Sequence, residues 1–157
     1  MDGVLCDFNK AYRKLDPDKS DRKKFREAVL EHKIFEDLDF MPDTQELLNY
    51  VCKLNDINIE ILTSMGSTQT DQASAARAQK QKWLDKWNIP FRANFVHSKP
   101  EKAKFASDKS ILIDDSIGCI SPFRMAGGHG ILHVSSKDTI LTLDDLITQI
   151  YNDFKIT

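Results

Sequence analysis

Glycine and proline are scarce in this chain, with six and five in 157 residues, scattered apart from Gly127, Gly128 and Gly130. There is accordingly no Pro/Gly-rich linker, no low-complexity tract and no internal repeat, and the length fits one domain. Cysteine is scarcer still. The three, Cys6, Cys52 and Cys119, form no CxxC pair, and an odd count argues against both a disulfide framework and a zinc site. A reducing cytoplasmic compartment is the expectation. No apolar run approaches membrane-spanning length, and Asp2 and Asp7 interrupt the short apolar start, so neither a membrane partner nor a signal peptide is expected. Neither sign of charge is in excess: 22 basic residues face 24 acidic ones, a net −2. That leaves no electrostatic footprint for nucleic acid or an anionic surface.

What the chain does have is apolar material for a core, 41% of its residues. It is laid out as alternating strand-like and helix-like segments, which predicts an α/β fold with a parallel sheet. Residues 9–38 are charged and helical in pattern, with caps expected around Asp18 to Asp21 and an apolar stripe of Phe25, Val29 and Leu30. Asp43 after Pro42 starts a helix with the face Leu47, Leu48, Val51 and Leu54. Residues 57–63 read as a strand, and Ser64, Met65 and Gly66 as the loop after it. Residues 70–87 read as a long polar helix whose narrow apolar face includes Trp83 and Trp87, taken as core. Short strands follow at 94–97, 110–113 and 130–134. A helix over 117–126 is stopped by Gly127 and Gly128, and a final helix carries Leu143, Leu146, Ile147, Ile150, Tyr151 and Phe154.

Three of these strands end in polar residues, at Thr63, His97 and Asp114. Ligands of open α/β sheets bind at the carboxyl ends of the strands, so these three could meet at a site. Asp114 and Asp115 are adjacent carboxylates at the end of a buried strand. A divalent cation would relieve their repulsion, and Mg²⁺ favours one or two carboxylates plus phosphate oxygens. The plain alternative is that Asp115 or Ser116 caps the next helix. Thr63 and Ser64 could hold a phosphate oxygen or simply shape a turn. Lys99 and Lys102 could supply point charges to a phosphate or lie solvated with Lys104 and Lys109. His97, His129 and His133 do not have metal-ligand spacing. The basic run from Lys19 to Arg26 reads as a solvated helix face, with phosphate entry as its minor alternative.

In order, these pieces resemble the haloacid dehalogenase superfamily over nearly the whole chain. Asp2-Gly3-Val4-Leu5 with Asp7-Phe8 looks like the end of its first motif, D-x-D-G-V-x-x-D-F. Thr63 looks like the second motif, Lys99 or Lys102 like the third, and Ile111-Leu112-Ile113-Asp114-Asp115 like the fourth. Residues 35–38, Trp83-Leu84-Asp85-Lys86 and the stretch 126–133 are similar to the 5′(3′)-deoxyribonucleotidase branch, of phage or bacterial type. The resemblance implies a Rossmann-like parallel sheet, one domain over residues 1–157, and a small helical cap inserted at about 9–40. It implies Mg²⁺ held by Asp114, Asp115 and the Asp2 backbone carbonyl, and a small-molecule nucleotide substrate. Asp2 would be the general acid and base. Thr63, with Ser64, and a lysine, Lys102 in preference to Lys99, would hold the phosphoryl oxygens. Phe8 and Phe35, with Ser64 and Met65 beside them, would face the nucleoside. Nucleic acid is not an expected partner; a homodimer is compatible with the pattern.

One departure matters. The nucleophile of this superfamily is the first Asp of D-x-D, which would form an aspartyl-phosphate. Met1 occupies the x, so that Asp and the central strand leading to it fall before the printed sequence. The expectation is that Met1 is an internal methionine of a longer protein, active as a phosphomonoesterase, and that the chain as printed is inactive. Two rivals stand beside it: a phosphatase for another small phosphoester or a nucleic-acid end, and a non-enzymatic module that binds phosphate, nucleotide or a partner.

Overall fold

A computed structural model describes residues 1–15, 17, 18 and 20–155, the last two as backbone only. The fold is α/β, with six α-helices, four strands and one 3₁₀ segment among the described residues. The strands form two parallel two-stranded sheets. The chain divides into two compact units, Met1–Met41 with Asn58–Lys99, and Pro42–Ile57 with everything from Pro100 onward. Each contains one strand–helix–strand turn, the connection that parallel neighbours require.

In the first unit β1 (Glu60–Ser64) runs through α4 (Thr70–Lys86) into β2 (Arg92–Val96). Thr63 pairs with Phe95 and Ser64 with Val96. The strand expected from Ile57 starts at Glu60, because β2 begins opposite Glu60 at Arg92 and offers the earlier residues no ladder partner. Small residues let α4 sit close: Ala73 and Ala76 are buried, as are Trp83 and Leu84. The Trp83 indole N–H donates to the Leu38 carbonyl at 2.8 Å, so the one polar atom of a fully buried ring is satisfied. Trp87 departs from the expected core position. It is 42% exposed, caps the end of α4, and packs on Phe40 with ring centroids 4.6 Å apart.

Residues 1–7 form a tight turn with isolated bridges rather than a strand. Gly3, at φ 73°, supplies the left-handed conformation that brings the Leu5 N–H to the Met1 carbonyl at 2.8 Å. Met1, Val4, Leu5 and Cys6 are all buried there. The Asp7 carboxylate accepts the Lys10 N–H at 3.0 Å and so starts the short helix α1 (Phe8–Tyr12). Ser20 precedes α2 (Asp21–Leu30) without a side-chain cap bond. Lys19, the start of the expected basic run, lies outside the described residues, and so does the side chain of Phe154.

The second unit holds α3 (Thr44–Val51), the 3₁₀ segment Pro100–Phe105, β3 (Ile111–Asp114), α5 (Ile117–Met125), β4 (His129–Leu132) and α6 (Ser136–Lys155). Leu47, Leu48 and Val51 are buried on the apolar face of α3. Asp43 accepts the Ser136 N–H, and the Ser136 hydroxyl donates to the Asp43 carbonyl at 2.9 Å, which joins the start of α3 to the start of α6. In the second sheet Asp114 pairs with Leu132, so β4 ends there and Val134, expected within the strand, is 82% exposed.

Candidate active site

The sequence residues of interest fall into two groups, one in each unit. In the first, β1 brings Thr63 to its carboxyl end, the N-terminal turn presents Asp2, and the middle of α4 contributes Lys80. The Lys80 ammonium donates to Asp2 Oδ2 and, at 3.0 Å, to Thr63 Oγ1, and it stands 4.3 Å from the centroid of the Phe35 ring. Lys80 and Thr63 are fully buried, while the Asp2 side chain keeps 30% of its surface. The Cys6 thiol donates to the other Asp2 oxygen at 3.4 Å. Burial pushes the Asp2 carboxyl up, and the Lys80 charge, the N-terminal ammonium and the hydrogen bonds from Lys80 and Cys6 together hold it below the ordinary carboxylate range. The Cys6 thiol is pushed well up by burial and by the Asp2 charge, so it is neutral and a weak nucleophile.

Around this cluster, β1 continues into a loop that its own side chains organise. Ser64 Oγ donates to the His97 carbonyl at 3.2 Å and accepts the Gly66 N–H at 3.1 Å. Met65 is buried, with its N–H on the Val96 carbonyl at 2.7 Å. Gly66 has φ 72°, and a Cβ there would stand 2.7 Å from the Phe25 ring. Phe8 stacks on Phe35 (5.3 Å) and on Tyr12 (5.0 Å), with Phe25 edge-on to all three. Phe8 and Phe35, expected to face a nucleoside, stack on each other within a four-ring cluster in which Phe35 is 2% exposed.

In the second unit β3 carries Asp114 to its last position. Lys102, on the 3₁₀ segment, donates to Asp114 Oδ2 at 2.6 Å, and the Ser116 N–H donates to Oδ1 at 3.0 Å. Both charged side chains are 6% exposed. Burial raises the Asp114 carboxyl, and the Lys102 ammonium overcomes this and leaves it below its usual range. Asp115 and Lys99 are exposed. Ser116 precedes α5 as its cap residue but makes no side-chain cap bond; the Asp114 carboxylate takes the Ser116 N–H just ahead of the helix. His97, His129 and His133 each bond within the protein, to Ser67 O, Asp108 O and Thr139 Oγ1.

A hard divalent cation fits the donor chemistry of the second group. A carboxylate oxygen has two lone pairs, so each Asp114 oxygen keeps an acceptor position beyond its present partner. Adjacent Asp115 adds a second carboxylate. No cluster of three or more His, Cys, Asp or Glu is present among the described residues. Mg²⁺ tolerates a site of one or two carboxylates, and Asp114 and Asp115 are the residues that would hold it.

Lys80 is the residue that reading the sequence missed. It lies in Gln79-Lys80-Gln81-Lys82, which looks like a solvated polar face. The available signal was its spacing of three from Trp83 and four from Ala76, which places it on the buried side of α4. No family model matches the chain, and no curated protein or solved structure matches it either.

Proposed function

We propose that the residues of this chain serve a Mg²⁺-dependent phosphomonoesterase of the haloacid dehalogenase type, acting on deoxynucleoside monophosphates through an aspartyl-phosphate, in a Rossmann-like sheet. The observation that carries this reading is the Lys102–Asp114 pair. A buried ammonium has three donors, and among the described residues Lys102 uses one of them, on Asp114. Two donors on a buried cation call for an oxyanion, and a phosphoryl group supplies it. Lys102 suits that role better than Lys99, which is exposed.

The remaining roles follow the chemistry of each group. Thr63 Oγ1 accepts from Lys80, so the hydroxyl proton is left to donate to a phosphoryl oxygen. Asp2, paired with Lys80, would take a proton from water in the hydrolytic half. Its acid half needs a proton first, and a phosphomonoester monoanion carries one, since the second phosphate pKa is about 6. Bound Mg²⁺ would neutralise phosphoryl charge, with Asp114 and Asp115 to hold it. The first motif of that superfamily places its nucleophile two positions ahead of the residue matched by Asp2, so the test compares chains with and without residues at that place.

The test is Mg²⁺-dependent phosphate release from dUMP or dTMP, run on the printed chain and on one extended upstream in its natural reading frame. Turnover by the extended chain alone supports the reading. Preference for a 5′-phosphorylated oligonucleotide, with salt-sensitive affinity, would move the substrate to nucleic-acid ends. Nucleotide binding without turnover in either chain would make it a binding module.

A further inference from the structure

The two buried lysines differ in one respect that separates their roles. Lys102 has one hydrogen-bond partner among the described residues; Lys80 has two, and an aromatic face beside them. Its ammonium meets the Asp2 carboxylate, the Thr63 hydroxyl at 3.0 Å and the face of Phe35 at 4.3 Å. The side chain is 1% exposed. A lysine in that setting is committed to side chains of the protein itself.

We infer that Lys80 is a positioning residue: it fixes Asp2 and Thr63 relative to each other and does not itself touch the substrate. The inference rests on the proposed roles of Asp2 and Thr63, but the arrangement it describes exists without any substrate. Three separate segments converge on this one ammonium: the N-terminal turn, the end of β1 and the middle of α4. Backbone hydrogen bonds hold the turn that carries Asp2, among them Gly3 N–H to the Cys6 carbonyl and Leu5 N–H to the Met1 carbonyl, both at 2.8 Å, but they leave the rotamer of the Asp2 side chain to its own partners. The Cys6 thiol is a weak donor at 3.4 Å. Lys80 is therefore the principal tether of Asp2. Donating to Thr63 Oγ1 also turns the threonine proton away from the lysine, the orientation a phosphoryl oxygen needs. Phe35 closes the remaining face of the ammonium and links this tether to the aromatic cluster of Phe8, Tyr12 and Phe25.

The first experiment is a crystal structure of Lys80→Met, which keeps the length of the side chain and removes its donors. The Asp2 carboxylate and the Thr63 hydroxyl should both leave their present positions; finding them in place overturns the inference. Because an emptied buried site can prevent folding, wild-type protein supplies the second measurement, NMR of the lysine ammonium groups with and without inorganic phosphate. The Lys80 ammonium protons should show contacts to Asp2 and to the Thr63 methyl, retained when phosphate is added. Absence of those contacts, or a phosphate-induced shift of the Lys80 nitrogen as large as that of Lys102, overturns it. In the extended chain Lys80→Met should lower kcat by at least about tenfold, the effect of a misplaced catalytic group, with a smaller change in KM. A rise in KM with kcat unchanged would make Lys80 a substrate contact instead. If the extended chain has no turnover, the phosphatase reading fails, while the crystal structure and the ammonium contacts still decide the positioning role.

Discussion

Replacing Lys102 by methionine removes the counter-ion of Asp114 while keeping most of the side-chain volume. Both partners are 6% exposed and meet at 2.6 Å, so solvent screens neither. Breaking a buried pair by removing one member strands the other charge and costs about 3–5 kcal/mol. For a chain of this size 1 kcal/mol moves the midpoint by about 2–4 °C, so Lys102→Met should lower Tm by roughly 6–20 °C. The pH dependence should change direction. In the native protein the folded Asp114 lies below its unfolded value, so the pair contributes stability above the unfolded pKa, and this is lost as pH falls through the folded one. Without Lys102, burial is the leading influence and pushes the carboxyl above its unfolded value. Lys102→Met should then gain stability on mild acidification, while native protein does not. The double variant Lys102→Met with Asp114→Leu should recover most of the loss. Thermal melts followed by circular dichroism between neutral pH and mild acid measure all of this. A Lys102→Met Tm within about 2 °C of native, with an unchanged pH profile, would refute the buried-pair reasoning.

Three further outcomes follow from the same structure. Trp83→Ala should cost about 3–5 kcal/mol in denaturant melts, since the ring is fully buried and its N–H serves Leu38; Trp83→Phe should cost less. Gly66→Ala should destabilise by about 1–2 kcal/mol through its positive φ alone, and by more because the new methyl meets the Phe25 ring; Phe25→Leu in the same background should relieve the second part. Thr63→Val, nearly isosteric, leaves the Lys80 ammonium short of one acceptor; it should weaken inorganic phosphate binding, whereas Thr63→Ser should retain it.

The order of elements was legible because alternation of apolar strands with helix-period segments is a local property. So was the placement of Thr63 and Asp114 at strand ends, since each follows an isoleucine-rich run that has to be buried. Boundaries were less legible, because a strand ends where its partner ends: Val134 has the composition of a strand residue but no neighbour on β3 beyond Asp114. Lys80 and Lys102 show the larger gap. Most lysines are solvated, and whether one is buried depends on acceptors far away in sequence, Asp2 and Thr63 for Lys80. Lys102 was preferred to Lys99 for its place at the start of a short helical segment ahead of the strand that ends at Asp114; its burial against Asp114 was not legible. Trp87 errs the other way: it shares a helical side with Trp83 but falls just past the last turn of α4, where the core has ended.

The most direct test of the phosphoryl-binding claim needs no turnover and can be made on the printed chain. Inorganic phosphate is titrated by ³¹P NMR into native protein, Lys102→Met and Thr63→Val, each shown to be folded at low temperature, with and without Mg²⁺. The account predicts saturable binding by native protein, strengthened by Mg²⁺, and a loss of about tenfold or more in Lys102→Met, as removal of a charged donor worth about 1.5–3 kcal/mol requires. Saturable binding that Lys102→Met leaves intact, or no binding by the native chain at millimolar phosphate with Mg²⁺, would contradict it.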